Sequence, residues 1–144
     1  MLKYATESQR NYFKQYCKEI NDEYCFSDDE ADIPTFHFVI EDLYGVYLGY
    51  VAYHIKNNKL IGIELVAKKP SRLFMKCFLN SLYKISIIVN GFSLTSYKES
   101  PSHKMLTKIM KNYNFTLRDY KDYQVYENNG SVLKYPINKG GFML

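Results

Sequence analysis

Residues 60–97 read LIGIELVAKKPSRLFMKCFLNSLYKISIIVNGFSLTSY, and this stretch decides the fold. Its first eight residues form a mostly aliphatic run that predicts a strand. Pro70 and Ser71 then interrupt the strand and are typical of a helix start. The apolar spacing that follows predicts a helix to about Val89, and residues 92–97 predict another strand. The stretch is therefore expected to form a strand, a helix and a second strand.

Two further strands are predicted before this stretch, over residues 36–40 and 44–55. The polar segment 56–59 has the composition of a turn, so the three strands are expected to form an antiparallel meander. Strict alternation divides residues 60–67 between the two faces of the sheet. The residues expected to share one face are Leu60, Gly62, Glu64 and Val66.

A helix is predicted over residues 6–20, with Thr6 as its cap, and another helix is predicted to begin near Ser100. The remaining strands are expected at residues 115–120, 123–127 and 131–135, the last two joined by an Asn-Asn-Gly hairpin turn. The predicted class is α+β (α/β-like), with a mixed, mostly antiparallel central sheet and about three helices. We expect one domain over residues 1–135 and a C-terminal tail over residues 136–144.

Composition places the chain among ordinary globular proteins. It has 144 residues, of which 47% are hydrophobic and 24% are charged. The longest apolar runs are too short for a transmembrane helix, and the N-terminus has no apolar signal core. The abundance of Lys, Asn, Tyr and Ile resembles the product of an AT-rich genome. We expect a cytoplasmic protein, or one in a host cytoplasm or a virion if a phage encodes it.

Charge is distributed unevenly along the chain. Residues 1–42 carry a net charge of −6, whereas residues 43–144 carry +10. This polarity could direct an anionic ligand or a charged partner to the second part, or the lysines could simply solvate the surface. Only 3 of the 19 basic residues are Arg, which argues against base-specific readout of nucleic acid.

The cysteines and the acidic residues predict no metal site. Cys17, Cys25 and Cys77 are odd in number and lack zinc-site spacing, so we expect free, buried thiols in a reducing compartment. Residues 27–34 contain four carboxylates that could bind a divalent cation. Their spacing does not match a calcium-binding loop, and a solvated loop is the preferred interpretation.

The predicted order of elements resembles the GNAT N-acetyltransferase fold, most closely over residues 60–127. Asn114 and Phe115 are similar to the Gly-Phe pair with which that family ends its last helix, since Asn tolerates a left-handed helix exit. The pair Ser102 and His103 at a helix start also resembles acetyltransferase-like internal virion proteins of short-tailed phages. The resemblance implies acetyl-CoA as the cosubstrate and an amine as the acceptor.

The resemblance also implies particular site residues. The CoA phosphates would meet the helix start at Lys68, Lys69, Ser71 and Arg72. Glu64 would be the general base, with a pKa raised by its apolar neighbours, and Tyr97 would be an acid.

Two departures from the family pattern weaken the catalytic reading. No Gly lies between Gly62 and Gly91, so the family's glycine-containing phosphate loop is missing. Met110 occupies the position at which the family often has a tyrosine that acts as a general acid. The first hypothesis is therefore a GNAT-fold structural or interaction protein with a degenerate acyl-CoA site, no cofactor and a protein partner, such as a phage virion component. The alternative is an active acetyl-CoA-dependent N-acyltransferase with an atypical CoA loop.

Two further functions have weaker support from the sequence. A nucleic-acid-binding protein could use the basic second part, although no pattern of interleaved aromatic and basic residues supports it. A Ser102–His103 nucleophilic pair would need a third group and an oxyanion hole that the sequence does not reveal.

Overall fold

The structure is a computed structural model that describes residues 1–26 and 33–129. Seven strands and three helices follow one another along the chain. They are β1 (Leu2–Tyr4), α1 (Glu7–Glu19), β2 (Phe36–Glu41), β3 (Tyr47–Lys56), β4 (Lys59–Ala67), α2 (Arg72–Ile88), β5 (Phe92–Tyr97), α3 (His103–Met110), β6 (Thr116–Asp119) and β7 (Tyr123–Asn128). None of the described helices has the length and hydrophobicity needed to cross a bilayer.

The strands form a single sheet in the order β1-β2-β3-β4-β5-β7-β6. All neighbouring pairs are antiparallel except β4 and β5, which are parallel and are connected through α2. The predicted class and the predicted order of helices and strands are therefore confirmed. Strand β1 was not predicted, because it has only three residues and carries no periodic pattern. The acidic segment 27–32, the predicted strand 131–135 and the proposed tail lie outside the described residues.

The sheet has an apolar core on each face. On one face, α1 contributes Phe13 and Cys17, which pack with Tyr50 and Val66 of the sheet. On the other face, α2 and α3 cover a larger core that contains Phe74, Phe78, Leu82, Leu106 and Ile109. Each helix is amphipathic, so burying its apolar stripe on the sheet drives the docking.

Both long helices begin at the caps that the sequence predicts. The Thr6 hydroxyl accepts the Gln9 amide hydrogen at 3.1 Å, and the Gln9 side chain accepts the Thr6 amide hydrogen at 2.9 Å. This reciprocal arrangement is a capping box. The Ser71 hydroxyl accepts the Phe74 amide hydrogen at 3.1 Å and caps α2 in the same way.

A bulge in β4 overturns the strict alternation expected for residues 60–67. The pairing with β3 shifts by one residue between His54 and Ile55. As a result Leu60 joins the same core as Leu65, while Glu64 stays on the face of α1. The expectation that Leu60 and Glu64 share a face is wrong, because one extra residue in a strand reverses the side-chain order beyond it.

Candidate functional site

The site is a gap between β4 and β5, whose main chains pair only at one end. Their ladder consists of Leu60 with Phe92. The Leu60 amide donates to the Gly91 carbonyl at 3.0 Å, and the Asn90 amide donates to the Asn58 carbonyl at 2.7 Å. Beyond this end, the described residues of the two strands form no ladder with each other. Toward their carboxyl ends the main-chain groups of the two strands are therefore not joined to each other across the gap, and the Leu65 carbonyl there is approached by the Cys25 thiol at 3.7 Å.

A pocket of about 230 Å³ lies at the open end of this gap. It is bounded by the end of β4, by the segment before α2, by the start of α3 and by residues at and after the end of α1. The residues that line it are Ile20, Asp22, Leu65, Val66, Ala67, Pro70, Pro101, Ser102 and Met105. In sheets with a parallel pair, ligands commonly bind at the carboxyl ends of the strands, so this is the candidate binding site.

Three of the four predicted phosphate-binding residues lie together at the start of α2. Lys69 and Arg72 are exposed, and Ser71 is the cap between them. The first amides of a helix have no partner inside the helix, and they lie at the positive end of its dipole. Pro70 lines the adjoining pocket, so this cationic helix start borders the open end of the gap.

Lys68 takes a different position from the other three. Its ammonium group donates to the Tyr12 hydroxyl and lies 4.8 Å from the centre of the Tyr12 ring and 5.6 Å from that of Tyr16. Both rings belong to α1. Lys68 thus ties the end of β4 to α1 through cation–π contacts.

Glu64 is buried beneath α1, with 8% of its surface exposed. Its carboxylate accepts a hydrogen bond from His54 Nε2 at 2.7 Å, and Arg10 lies 3.3 Å away. Burial by itself would raise the pKa of Glu64, but the hydrogen bond from His54 and the charge of Arg10 outweigh it, and the pKa is lowered. The expectation of a raised pKa is wrong, because Arg10 and His54, which lower it, come from other parts of the chain.

The Glu64 cluster extends across the sheet through Arg10. The Arg10 guanidinium also donates to the Tyr50 hydroxyl, which lies 3.1 Å from His37 Nδ1. Burial, followed by the Arg10 charge, lowers the pKa of His37. Burial raises the pKa of Tyr50 despite the nearby guanidinium. These groups form one hydrogen-bonded network that holds α1 against the sheet.

Tyr97 ends β5 at the open end of the gap, and 46% of its surface is exposed. Its ring stacks on Tyr24 at 5.3 Å and lies 5.9 Å from Tyr123. The preceding residue, Ser96, points to the other face, where its hydroxyl lies 2.7 Å from His103 Nδ1. Sequence reasoning noted His103 but paired it with Ser102. The contact of His103 is instead with Ser96. Side chains alternate between the two faces of β5, so the pattern of residues 92–97 could have indicated that Ser96 faces α3.

Other residues of interest fall outside the site. Met110 is buried in the core of α2 and α3. Cys17 and Cys25 are buried free thiols, and Cys77 is a partly buried one. No group of three or more potential metal ligands occurs among residues 1–26 and 33–129. No local pattern in the sequence marks Arg10 or Tyr24 as a member of a cluster, since each meets its partners only in the folded chain.

Comparison with known proteins shows the fold. No protein-family model matches the sequence, and no curated protein matches it either. Among solved structures, the chain is similar to spermidine N-acetyltransferase from Vibrio cholerae in complex with CoA and spermine. The two sequences are 15% identical and the TM-score is 0.57. The match covers 88% of this chain and 92% of that chain. It is similar to a GNAT-family acetyltransferase from Staphylococcus aureus, at 11% identity and a TM-score of 0.59, with 90% and 98% covered.

A third similar structure is FdhC, a nucleotide-linked sugar GNAT, at 9% identity and a TM-score of 0.60, with 89% of this chain and 85% of that chain covered. The described protein therefore has the GNAT acetyltransferase fold. The structures that share this fold are named for different acceptors, so the acceptor of this chain has to be argued from its own surface.

Proposed function

We propose that this protein is an acyl-CoA-dependent N-acyltransferase that binds the acyl-CoA in the gap between β4 and β5. The observation that carries the proposal is the gap itself, which opens on a pocket beside the cationic start of α2. An extended thioester ligand could hydrogen bond to main-chain groups of β4 and β5 that do not pair with each other across the gap. The similar structure that is named with bound CoA supports the same choice of ligand.

The start of α2 suits the phosphates of such a ligand. Lys69 and Arg72 supply exposed cations, and the helix dipole adds to their field. The Ser71 hydroxyl already accepts the Phe74 amide hydrogen. It can still donate its own hydrogen to a phosphate oxygen. Without a glycine in this segment, side-chain cations would carry a larger share of phosphate binding than backbone amides.

In the reaction, the neutral acceptor amine attacks the thioester carbonyl carbon. The C–N bond forms, the C–S bond breaks, the amine loses a proton to solvent, and the CoA thiolate takes one up. Tyr97, at the open end of the gap, is the proposed donor of that proton. Glu64 is not the base in this scheme, because Arg10 and His54 hold its carboxylate under α1. Lys68 likewise has a structural role.

A second candidate is a protein that binds its ligand or a protein partner without catalysis. The ion-paired Glu64 and the buried Met110 favour it, because neither can transfer a proton in the gap. The two candidates agree on the position of the site and differ on turnover.

Calorimetric titration with acetyl-CoA tests binding, and release of free CoA thiol in the presence of amines tests turnover. We expect acetyl-CoA to bind, and the double variant Lys69→Glu/Arg72→Glu to weaken binding by about tenfold or more, since two attractive contacts become repulsive. Lys84→Glu is the matched control, because this exposed lysine lies about three turns further along α2. Absence of acetyl-CoA binding by the wild-type protein would refute the acyltransferase and leave the second candidate with a protein partner, whereas binding without thiol release with any amine would support the second candidate with acetyl-CoA as its ligand.

A further inference from the structure

We infer that a row of four tyrosines beside the gap binds the acceptor through a primary alkylammonium group on an aliphatic chain. The inference rests on the proposed acyl transfer and names the class of its acceptor. The tyrosine row consists of Tyr24, Tyr97, Tyr123 and Tyr120. Tyr24 comes from the loop after α1, Tyr97 from the end of β5, and Tyr120 and Tyr123 from the β6–β7 hairpin.

The rings of the tyrosine row follow one another at contact distances. Centroids lie 5.3 Å apart from Tyr24 to Tyr97, 5.9 Å from Tyr97 to Tyr123, and 4.7 Å from Tyr123 to Tyr120. Tyr24 is 43% exposed and Tyr120 is 40% exposed. Packing within the protein therefore leaves much of the Tyr24, Tyr97 and Tyr120 rings open, whereas Tyr123 is half-buried between its neighbours. Partly exposed, mutually supported rings present apolar faces and edges to a ligand at low cost in side-chain entropy.

Carboxylates surround the Tyr24 end of the row. The four charged groups that act on the Tyr24 hydroxyl are all acidic, and after partial burial they raise its pKa; they are Asp22, Glu23, Glu99 and Asp122. Asp22 is held in place by the Tyr24 amide, which donates to its Oδ1 at 3.0 Å. Asp122 is held near the end of β5 because its carbonyl accepts the Lys98 amide hydrogen at 2.9 Å.

Cations also lie near the tyrosine row, since Lys14 and Lys18 line a pocket together with Asp22 and Glu23, but the charged groups that act on the Tyr24 hydroxyl are the four carboxylates. The Lys98 ammonium lies 2.7 Å from the Asp119 carboxylate, so it forms an ion pair at the Tyr120 end of the row. Arg118 is paired with Glu127 on the β6–β7 hairpin. Lys121 is exposed in the turn between those strands. The surroundings of the Tyr24 hydroxyl are thus acidic in a chain whose net charge is +4, which disfavours an anionic acceptor and favours a cationic one.

Ring faces combined with carboxylates are the chemistry that recognises an alkylammonium ion, because the aromatic quadrupole and the negative charges attract the same cation. The aliphatic part of the ligand would lie against the rings. Asp22 also lines the pocket at the open end of the gap. A flexible chain lying on the tyrosine row could therefore place a terminal amine in that pocket, where the thioester would be.

Two sources share this chemistry, a free linear polyamine and a lysine side chain on a peptide. Calorimetry without acetyl-CoA separates them, using spermine, 1,4-diaminobutane and an N-acetylated, C-amidated lysine tripeptide as probes, with glutarate as an anionic control. We expect at least one amine probe to bind and glutarate not to bind. Spermine binding alone would assign a free polyamine, and tripeptide binding alone would assign a lysine side chain; either result supports the inference.

Variants test whether the tyrosine row is responsible. Tyr24→Leu keeps the apolar bulk but removes the ring, and Glu99→Gln removes one charge; each should weaken amine binding by about fivefold or more. Tyr44→Leu is the matched control, because Tyr44 is 91% exposed and lies outside the row. Both test residues are exposed, so the variants should fold.

The inference is overturned if no amine probe binds, or if Tyr24→Leu binds the amine as the wild type does. Its failure is distinguishable from that of the proposed function. Acetyl-CoA binding with no amine binding would remove only the inference, and amine binding with no acetyl-CoA binding would remove only the acyl transfer. Unchanged acetyl-CoA affinity in Tyr24→Leu is expected in addition, since Tyr24 does not belong to the start of α2.

Discussion

Glu64 shows how surroundings change the role of a single residue. A carboxylate in an aliphatic strand suggests a base with a raised pKa, yet Arg10 supplies a compensating positive charge, and both Arg10 and His54 supply hydrogen bonds. A buried carboxylate between such partners is costly to disturb, because removing its charge leaves the guanidinium without a counter-ion. The contact between Glu64 and Arg10 therefore attaches α1 to the sheet.

We expect Glu64→Gln to lower the free energy of unfolding by about 2–3 kcal/mol at pH 7. Because the pKa of Glu64 is lowered in the folded state, its ionised form contributes stability above its ordinary pKa, and that contribution is lost as the pH falls through the folded-state value. The difference between variant and wild type should therefore shrink below about pH 4.5. Urea unfolding at pH 7 and at pH 4 measures both effects.

Glu19→Gln provides the control for this variant, since Glu19 is an exposed carboxylate at the end of α1. Its effect should stay within about 0.5 kcal/mol at either pH. Equal stability of Glu64→Gln and the wild type at pH 7 would show that the Arg10 contact contributes nothing to the fold.

Among the elements, the start of β5 controls where the gap closes. Gly91 precedes β5 with a φ of +138°, and its carbonyl accepts the Leu60 amide that joins β5 to β4. A side chain at this position would also collide with the Asn128 carbonyl oxygen of β7. Gly is therefore required both by the backbone conformation and by the close approach of β7.

Gly91→Ala should cost about 3 kcal/mol of unfolding free energy, because backbone strain and the collision with β7 act together. Gly45→Ala is the matched comparison, since Gly45 has a φ of +79° but nothing within 4 Å of an added Cβ. That variant should lose only about 1 kcal/mol. Thermal or urea unfolding of the two variants separates strain from collision, and equal losses would contradict the role assigned to β7.

For the whole molecule, the sheet joins two cores that lie on its opposite faces. Cys17 and Cys25 are buried in the core under α1, whereas Cys77 of α2 packs against the other core. Both cores share strands β2 to β4, so unfolding one exposes the strands that support the other. The described residues should therefore unfold as one cooperative unit.

Pulse labelling with iodoacetamide across a urea series tests this cooperativity, with mass spectrometry to resolve the three thiols. Cys17 and Cys25 should gain reactivity at the same urea concentration as Cys77 loses its partial protection, because one transition exposes them all. The transition followed by circular dichroism serves as the reference. An earlier transition at Cys17 and Cys25 would instead show that α1 detaches on its own.

The sequence alone determined the order of elements, the α+β class and the starts of α1 and α2. Each of these depends on residues close together in the chain, such as the Thr6–Gln9 box or the Ser71 cap. Periodicity and capping are local interactions, so they can be recognised before folding. The alternation in β4 failed at Leu60, because a bulge belongs to the pairing of two strands and not to one strand alone.

Only the tertiary structure decided what surrounds the site. Arg10 meets Glu64 across 54 positions, and Lys68 meets Tyr12 across 56. The tyrosine row likewise gathers rings from three separate segments. Which distant side chains become neighbours depends on strand order and helix docking, which follow from burial of the whole apolar surface. For that reason the residue types of the site were visible in the sequence, whereas their partners, their charges and the direction of their pKa shifts came from the fold.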